Sequence, residues 1–261
     1  MNYGICNLSL VPVRADASER SEMVTQVLFG EHFEILNRKQ AWCRIRLACD
    51  RYEGWIDEKM YLPLDEQQCN LHDMHKPFIT SEIFSIVYQE SKETPVFIMA
   101  GSSLPFFDKK DKSFRIGDRL WHYYGEIPKL PVAKREKITK IALNFQNAPY
   151  LWGGRSPAGI DCSGFTQLLF KICGIPVPRD ASGQVGAGKT LSFLNEAQPG
   201  DLAFFDDDEG NIIHVGMVLG DGKIIHASGK VRVDILDHQG IYNADTKRYT
   251  HKLRVIQNIL D

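Results

Sequence analysis

Residues 159–174 read GIDCSGFTQLLFKICG, and this stretch predicts a helix that begins beside a cysteine. The apolar residues that recur at the spacing of one helix face are Phe165, Leu168, Leu169 and Ile172. Asp161 is a residue type that caps helix N-termini, and Gly174 is a type that ends helices. Cys162 then lies in the first turn, outside the apolar stripe. Because a helix N-terminus lowers the pKa of a thiol, the pattern favours a nucleophilic Cys162 over a buried structural cysteine.

Two histidines bracket a predicted β-hairpin downstream of this helix. His214 opens the strand HVGMVL, and His226 lies within the next strand, IIHA. Either histidine alone is more often a packed residue than a catalyst. Together with Cys162 they would supply a nucleophile, a base and a group that orients the base. The remaining histidines lie in polar stretches and are expected to be solvated: His32, His72, His75, His122, His238 and His251.

The turn of this hairpin raises a geometric requirement. Asp221-Gly222 is a favoured pair for a two-residue turn. In an unbulged hairpin with that turn, His214 would point to the face opposite His226, because side chains alternate along a strand. We therefore predict a three-residue loop or a β-bulge near one of two glycines, Gly216 or Gly220. An unbulged two-residue hairpin would remove His226 from the site.

The N-terminal half of the chain predicts small β-domains. Residues 1–62 contain short strands separated by polar turns, and WCRIRL at 42–47 alternates with the period of a half-buried strand. Such a series predicts a small β-barrel. Residues 63–130 contain further strand-like segments that fit a second barrel, and Pro128 and Pro131 flank a linker.

Residues 131–261 predict a mixed α and β domain. It opens with a helix whose apolar face is formed by Ile138, Ile141, Ala142 and Phe145. The Cys162 helix follows. The three predicted strands after it are Asp201–Phe205, His214–Leu219 and Lys223–Ala227.

The composition of the chain argues against several classes of protein, among them nucleic-acid-binding and membrane-spanning proteins. The 261 residues carry a formal net charge of -2, which gives no basic excess for binding nucleic acid. The apolar runs are too short to cross a bilayer, and the N-terminus lacks the pattern of a secretory signal. The six cysteines show no CxxC pair and no zinc spacing, so we expect free thiols in a reducing compartment. These features favour a cytoplasmic location and no nucleic-acid or membrane partner; a periplasmic location would require that a signal peptide had been removed. A monomer is expected, although no feature of the sequence determines the oligomeric state.

One segment matches the sequence pattern of a nucleotide-binding loop. Residues 183–190, GQVGAGKT, match the Walker A pattern, which requires a buried strand before it and a long helix after it. The preceding residues 175–180 contain two prolines and cannot form a central strand. Only about two helical turns fit between Thr190 and Pro199. The sequence therefore argues against a P-loop NTPase.

The segments YLWGG, GIDCSGF, PRDAS, PGDLAFF, HVGMVLG and IIHAS, in this order, resemble the NlpC-type cell-wall peptidase family. LFGE, WCRIRL and YEGWID resemble the bacterial SH3-like domains of cell-wall enzymes. The resemblance implies an α+β papain-like catalytic domain at 131–261, preceded by one or two small all-β SH3-like barrels at 1–62 and 63–130. It implies Cys162 as nucleophile, His214 as general base and acid, and His226 as the polar third residue, without a metal or organic cofactor.

The combination of domains resembles the γ-D-glutamyl-L-diamino acid endopeptidases. These enzymes release L-Ala-γ-D-Glu from murein peptides that carry a free N-terminal L-Ala. The resemblance therefore implies a murein-derived peptide as substrate and a role in cell-wall peptide recycling. Two alternatives stay open: a related amidase or acyltransferase on the same scaffold, and a non-catalytic module that binds cell-wall peptides.

Several residues are expected to bind the substrate. Tyr150 and Trp152 are placed to form an apolar wall beside the nucleophile, although ordinary loop packing would explain them as well. Asp161 and Ser163 flank Cys162, whose backbone N–H is a candidate oxyanion donor.

The resemblance adds four residues to this set. Asp180 would pair with the substrate ammonium group unless it is only a helix cap, and Ser182 would bind the peptide or its carboxylate. Glu31 and Tyr52 of the first domain would close off the amine end of the substrate. Without the resemblance, an exposed Glu and Tyr on a barrel would be interpreted as solvated.

Overall fold

The structure, a computed structural model, describes residues 2–92, 94–127 and 134–260. These residues form two compact units. Unit one holds the described residues before Pro128 together with Gly153–Ser156, and unit two holds the other described residues.

The N-terminal part of unit one is an antiparallel sheet of seven strands in the order β3-β2-β6-β5-β4-β1-β7. The strands are β1 (Tyr3–Ile5), β2 (Leu10–Arg14), β3 (Met23–Leu28), β4 (His32–Lys39), β5 (Trp42–Leu47), β6 (Glu53–Asp57) and β7 (Leu62–Leu64). In β5, Cys43, Ile45 and Leu47 are buried while Arg44 between them is exposed. The period-two pattern of this segment thus forms the expected all-β arrangement.

The next part of unit one contains a helix that sequence patterning did not predict, followed by short strands. These elements are α1 (Glu66–Met74), β8 (Phe78–Ile79), β9 (Phe84–Gln89), β10 (Pro95–Met99), β11 (Ser103–Leu104), β12 (Ser113–Ile116) and β13 (Arg119–Tyr123). Four of the strands form a sheet in the order β10-β9-β13-β12, and β8 pairs with β11. Helix α1 begins with a capping box in which Asp65 and Gln68 each accept a hydrogen bond from the other's backbone N–H.

The two parts of unit one share a hydrophobic core. Ile5, Phe29 and Leu64 from the first part pack in one buried cluster with Val87 and Trp121 from the second. The Phe29 ring meets the Trp121 ring edge-on, with the centroids 5.4 Å apart. The core of unit one therefore continues across the position where a boundary between two barrels was predicted.

The predicted domain bounds at 62/63 and 130/131 stay predictions, as does the assignment of 63–130 as a second SH3-like barrel. The predicted linker prolines, Pro128 and Pro131, lie outside the described residues.

Unit two combines helices with an antiparallel sheet. Its helices are α2 (Lys134–Asn144), α3 (Cys162–Ile172) and the short α4 (Ala181–Gln184), with a 3₁₀ turn at Leu194–Glu196. The strands after residue 150 are β14 (Arg155–Ser156, in unit one), β15 (Gly159–Ile160), β16 (Lys189–Leu191), β17 (Leu202–Asp206), β18 (Ile212–Gly220), β19 (Lys223–Ser228), β20 (Lys230–Leu236), β21 (Gly240–Asn243) and β22 (Arg248–Asn258).

The large sheet of unit two runs β16-β22-β17-β18-β19-β20-β21, and β22 also pairs with β21. This extra pairing closes six strands, β17 to β22, into a ring, so that these strands form a small barrel. Helix α3 packs against β18 and β19. The three strands predicted from sequence are β17, β18 and β19, whereas the strands after β19 and the edge strand β16 were not predicted.

The Walker A segment does not form a nucleotide-binding loop. Residues 183–190 run from the end of α4 into β16, and the next helical element is the three-residue 3₁₀ turn. The strand and the long helix that a P-loop requires are both missing around this segment, in agreement with the sequence argument.

Two further observations concern the chain as a whole. All six cysteines are free thiols, as predicted. In the part of the chain that the structure describes, no helix combines the length and the apolar character needed to cross a membrane.

A buried ion pair holds residues 153–156 within unit one. Arg155 places its two guanidinium nitrogens 3.2 and 3.1 Å from the two carboxylate oxygens of Glu31. It also donates to the backbone carbonyl of Gln26 at 2.7 Å, and its backbone N–H donates to the side chain of that residue. The side chains of Arg155 and Glu31 are only 1% and 3% exposed. Each buried charge is therefore neutralised by the other, and removing either one would leave an unpaired charge in the interior.

We expect Arg155→Met to lower the free energy of unfolding by about 3 kcal/mol, because it leaves the Glu31 carboxylate buried without its cation. Urea unfolding of the full chain would measure the change. The matched control is Arg44→Met, which breaks an ion pair with Glu53 in which the Arg44 side chain is half exposed. This control should change the free energy of unfolding by less than about 1 kcal/mol. Equal effects of the two substitutions would contradict the proposed importance of the buried pair.

Candidate active site

Cys162 is the first residue of helix α3. Asp161 takes the N-cap position, and its Oδ1 accepts a hydrogen bond from the backbone N–H of Gly164 at 2.6 Å. The helix ends at Ile172, and Gly174 follows with a positive φ of 77°. The predicted start and end of the helix are therefore confirmed, although almost all of α3 is buried rather than only the predicted stripe.

The hairpin between β18 and β19 is bulged, as predicted. Gly220 lies opposite Lys223 across a two-residue turn in which Asp221 and Gly222 both have positive φ. Beyond the turn the register shifts, so that Met217 lies opposite Ile225. The bulge is therefore at Leu219–Gly220, the second of the two predicted places.

The shifted register brings His214 and His226 onto one face. The Nε2 of His214 lies 2.8 Å from the Nδ1 of His226. Gly216 lies between them on the same face, and a Cβ atom at this position would lie only 2.9 Å from the Cβ of His226. Glycine at this position therefore gives His226 the room to approach His214.

A carboxylate continues this chain of hydrogen bonds. The Nε2 of His226 lies 3.0 Å from Oδ2 of Asp234, a residue of β20 that sequence reasoning missed. Arg232 donates to both oxygens of the same carboxylate at 2.7 and 2.8 Å, and its guanidinium also contacts Asp245. Burial acts to raise the pKa of Asp234, but the hydrogen bonds from His226 and Arg232 outweigh it and lower this pKa. Asp234 is therefore an ionised acceptor.

The ionised Asp234 determines the tautomers of both histidines. Since a carboxylate only accepts, Nε2 of His226 carries the hydrogen and its Nδ1 is a lone-pair acceptor. That Nδ1 then accepts from Nε2–H of His214. The Nδ1 of His214 is left without a hydrogen and is the nitrogen that can act as a base.

A third imidazole lies in the same cluster. The ring of His251, in β22, stacks on the ring of His214 with the centroids 4.1 Å apart. Burial, together with the neighbouring His226, lowers the pKa of His251 to about 4. The prediction that His251 is solvated is therefore wrong, because the closed sheet brings β22 back beside the hairpin. It is also wrong for His72, which is buried against the rings of His32 and Phe106.

The protonation states of Cys162 and His214 differ from expectation. Burial raises the pKa of the Cys162 thiol to about 11, and the charge of Asp161 adds to this rise. Backbone hydrogen bonds involving Val215 and Ser163 oppose it without reversing it. Burial also holds the pKa of His214 well below its ordinary value of 6.5. The expected thiolate is therefore not the resting form, and the pair rests as a neutral thiol and a neutral imidazole.

Asp161 and Ser163 are held by an arginine that was not predicted as a site residue. The guanidinium of Arg179 binds both oxygens of Asp161, at 3.1 and 2.5 Å, and donates to Oγ of Ser163 at 2.9 Å. Gln184, fully buried, donates to the backbone carbonyls of Ser163 and Pro178. These bonds fix residues 178–184, which include helix α4, to the start of α3.

The other predicted binding residues of unit two lie at different depths. Tyr150 is half buried, and its backbone bridges to Ile160, two residues before Cys162. Burial raises the pKa of Tyr150 to about 12. Trp152 is 62% exposed. Asp180 and Ser182 are also exposed; Asp180 takes the N-cap position of α4, but its side chain makes no capping hydrogen bond.

The two binding residues predicted in unit one are Glu31 and Tyr52. Glu31 is buried and paired with Arg155, so it is not the exposed barrel residue that composition alone would suggest. Tyr52 packs, partly buried, against the core of the first sheet. The binding roles of both residues stay predictions.

The chain matches two family models. Residues 147–254 match the NlpC/P60 family, and residues 13–60 match the bacterial dipeptidyl-peptidase SH3 domain. The chain is 32% identical over 220 residues to the γ-D-glutamyl-L-lysine dipeptidyl-peptidase of Bacillus subtilis, covering 78% of this chain and 71% of the relative. It is 30% identical over 247 residues to dipeptidyl-peptidase 6 of Lysinibacillus sphaericus, covering 86% of this chain and 88% of the relative.

A solved structure supports the fold. An NlpC/P60 family protein from Bacillus cereus superposes with a TM-score of 0.82 at 21% identity, covering 99% of this chain and all of the other. With the helix-capped cysteine and the histidine pair, these matches define a cysteine peptidase, a hydrolase with an SH3-like domain ahead of its papain-like catalytic domain. The chain belongs to the NlpC/P60 family.

We expect Asp234→Asn to lower kcat on the order of tenfold to a hundredfold with little change in KM. The substitution removes the charge that holds the tautomers of His226 and His214 while leaving the side-chain shape. Imidazole ¹⁵N spectra should show a changed tautomer at His226. The control, Asp245→Asn, alters a carboxylate that accepts from Nη2 of Arg232 but is 79% exposed, so it should leave kcat nearly unchanged. An unchanged kcat and tautomer in Asp234→Asn would contradict the positioning role.

The resting thiol can be tested by alkylation. With a pKa of about 11, the rate of Cys162 alkylation by iodoacetamide should rise about tenfold for each pH unit between 7 and 10, because only the thiolate reacts. Mass spectrometry of the labelled peptide would give the rate, and Cys162→Ala would identify the site of labelling. A rate that becomes constant below pH 8 would indicate a thiolate–imidazolium pair instead.

Proposed function

We propose that this peptidase cleaves the bond between γ-D-Glu and the diamino acid of murein peptides with a free N-terminal L-Ala, releasing L-Ala-γ-D-Glu. The observation that carries the proposal is the similarity along both domains to a γ-D-glutamyl-L-lysine dipeptidyl-peptidase. The match of residues 13–60 to the bacterial dipeptidyl-peptidase SH3 domain supports it, because that domain is named for dipeptidyl-peptidases. A role in peptide recycling in the cytoplasm, by a monomer, belongs to the same proposal.

The proposed acylation begins from the neutral pair. As Sγ of Cys162 attacks the γ-carbonyl carbon of D-Glu, its proton passes to Nδ1 of His214. The carbonyl oxygen takes the negative charge and accepts a hydrogen bond from the backbone N–H of Cys162. The imidazolium of His214 then protonates the nitrogen of the diamino acid, the C–N bond breaks, and a thioester remains on Cys162.

Hydrolysis of the thioester restores the enzyme. A water molecule gives one proton to His214 and attacks the thioester carbon. The C–S bond breaks, Sγ of Cys162 takes that proton back from His214, and the dipeptide leaves with a new carboxyl group whose proton is lost to solvent. In both steps His226 accepts the hydrogen bond from His214, and the negative Asp234 stabilises the positive charge that forms on the two rings. This chain of groups needs no metal or organic cofactor.

Recognition of the substrate belongs to the residues predicted to bind it. In the proposal Tyr150 and Trp152 bind the apolar parts of the dipeptide, while Asp161 and Ser163, fixed by Arg179, present polar groups beside the nucleophile. The exposed side chains on α4 bind the ends of the peptide: Asp180 its ammonium group and Ser182 its backbone or carboxylate. Glu31 and Tyr52 limit the length of the stem on the amine side, which favours release of a dipeptide.

The two alternatives differ from the proposal in what happens to the bound peptide. An amidase or acyltransferase would use the same cysteine chemistry on another carbonyl group. A non-catalytic binding module would bind the peptide without cleaving it. The hydrogen-bonded chain from His214 to Asp234 favours catalysis over binding alone, since a binding module needs no defined base tautomer.

We expect the protein to convert L-Ala-γ-D-Glu-L-Lys into L-Ala-γ-D-Glu and lysine, with products identified by mass spectrometry. Acetylation of the N-terminal amine should lower kcat/KM by at least about tenfold, because it removes the positive charge with which Asp180 would pair and lengthens the stem on the amine side. The meso-diaminopimelate peptide tested in parallel would give the preference for the diamino acid.

Cys162→Ala should abolish this cleavage, and Cys173→Ala, at the other end of the same helix, should not. Equal cleavage of the acetylated peptide would overturn the free-amine specificity, and full activity of Cys162→Ala would overturn the cysteine mechanism.

A further inference from the structure

A second cluster of chemically reactive side chains lies in unit one, among residues that the peptidase mechanism does not use. It is formed by His32 of β4 and by Cys69 and Asp73 of α1. One ligand atom from each residue lies within 4.8 Å of the other two. The Nε2 of His32 is 2.7 Å from Oδ1 of Asp73.

The local fold explains why these groups meet. Cys69 and Asp73 are four residues apart, so they lie on the same face of α1. The capping box at Asp65 and Gln68 fixes the start of this helix. His32 belongs to β4, which pairs with both β1 and β5, so its backbone is held on two sides. The three donors therefore stand on rigid elements rather than on a loop.

The three side chains of the cluster differ in their exposure to solvent. Cys69 is 5% exposed, while the side chain of His32 is 17% and that of Asp73 57% exposed. The cluster thus forms a shallow site with a buried sulfur at its base and a carboxylate at its rim. The ring of His72 closes one side, with its centroid 5.4 Å from that of His32.

We propose that His32, Cys69 and Asp73 bind a divalent transition-metal ion, with Zn²⁺ as the best fit. A thiolate, an imidazole nitrogen and a carboxylate oxygen are the three ligand types that Zn²⁺ takes in proteins. Mg²⁺ and Ca²⁺ prefer oxygen ligands and do not match a set of one sulfur, one nitrogen and one oxygen. Three protein ligands leave the fourth tetrahedral position for water on the exposed side of Asp73.

Binding requires a balanced exchange of protons and hydrogen bonds. The Cys69 thiol loses its proton to solvent as the metal–sulfur bond forms. The direct hydrogen bond between His32 and Asp73 is replaced by bonds from both residues to the same ion, and the hydrogen on Nε2 of His32 moves through solvent to Nδ1. The ion would join α1 to β4, because His32 lies 37 residues before Cys69 in the chain. The expected effect is stabilisation of unit one in its folded state.

The binding test uses the full chain, stripped with a chelator and titrated with ZnCl₂. Calorimetry and elemental analysis should give one zinc ion per chain at this site, and saturating zinc should raise the midpoint of thermal unfolding by about 5 °C. Asp73→Asn, at an exposed position that tolerates substitution, should weaken binding at least about tenfold. Cys69→Ser should do the same, and Cys49→Ser, at an exposed thiol outside the cluster, should not.

The catalytic cysteine is a competing zinc site, so the titration is repeated on Cys162→Ala. The proposal requires that zinc binding and the rise in the unfolding midpoint persist in this variant. Loss of binding in Cys162→Ala, with unchanged binding in Asp73→Asn and Cys69→Ser, would assign the ion to the peptidase site and overturn the proposal. Binding of zinc at millimolar concentration only, with no change in the unfolding midpoint, would also overturn it. Neither result would affect the proposed peptidase function, which is measured by peptide cleavage in the absence of added metal.

Discussion

The β-bulge at Leu219–Gly220 is the constraint on which the catalytic arrangement depends. A two-residue turn alone would place His214 and His226 on opposite faces of the sheet. The extra residue shifts the register by one, and both rings then point the same way, 2.8 Å apart. From that face His226 reaches Asp234 diagonally across the pairing of β19 with β20, in which Arg232 lies opposite His226. One backbone irregularity therefore aligns three side chains from three strands.

Burial determines the protonation states of Cys162 and His214 as much as the geometry of the site does. At a helix N-terminus a thiol is usually expected to be acidic, but Cys162 is only 8% exposed and lies beside the negative Asp161. Desolvation penalises a thiolate and an imidazolium alike, which favours the neutral pair. Charge then develops only as the proton moves from sulfur to His214. The fixed charge of Asp234, two hydrogen bonds away, is positioned to stabilise the imidazolium at that stage of the reaction.

Local signals allowed part of this site to be predicted from the sequence. The cap at Asp161, the stripe of α3 and the Asp221-Gly222 turn are all encoded by neighbouring residues, and the bulge followed from requiring that two histidines share a face. Asp234 was missed although KVRVDIL in β20 has the alternation of a strand, because its pairing with β19 is not encoded locally. His251 was missed because only closure of the sheet by β22 brings it to His214. The neutral state of Cys162 depends on burial, which no short motif reveals.

Glu31 shows how one carboxylate is limited in the roles it can combine. Its oxygens accept from two guanidinium nitrogens of Arg155, from the backbone N–H of Leu28 at 2.7 Å, and from the thiol of Cys49 at 3.8 Å. A carboxylate offers about four lone-pair positions, so donors of this chain already use much of the acceptor capacity of Glu31. The thiol is the weakest donor and the most distant of the four, and Cys49 is the exposed residue among them. The bonds from Arg155 and Leu28 therefore hold the carboxylate in place within unit one, and the Cys49 thiol is the contact that gives way most readily.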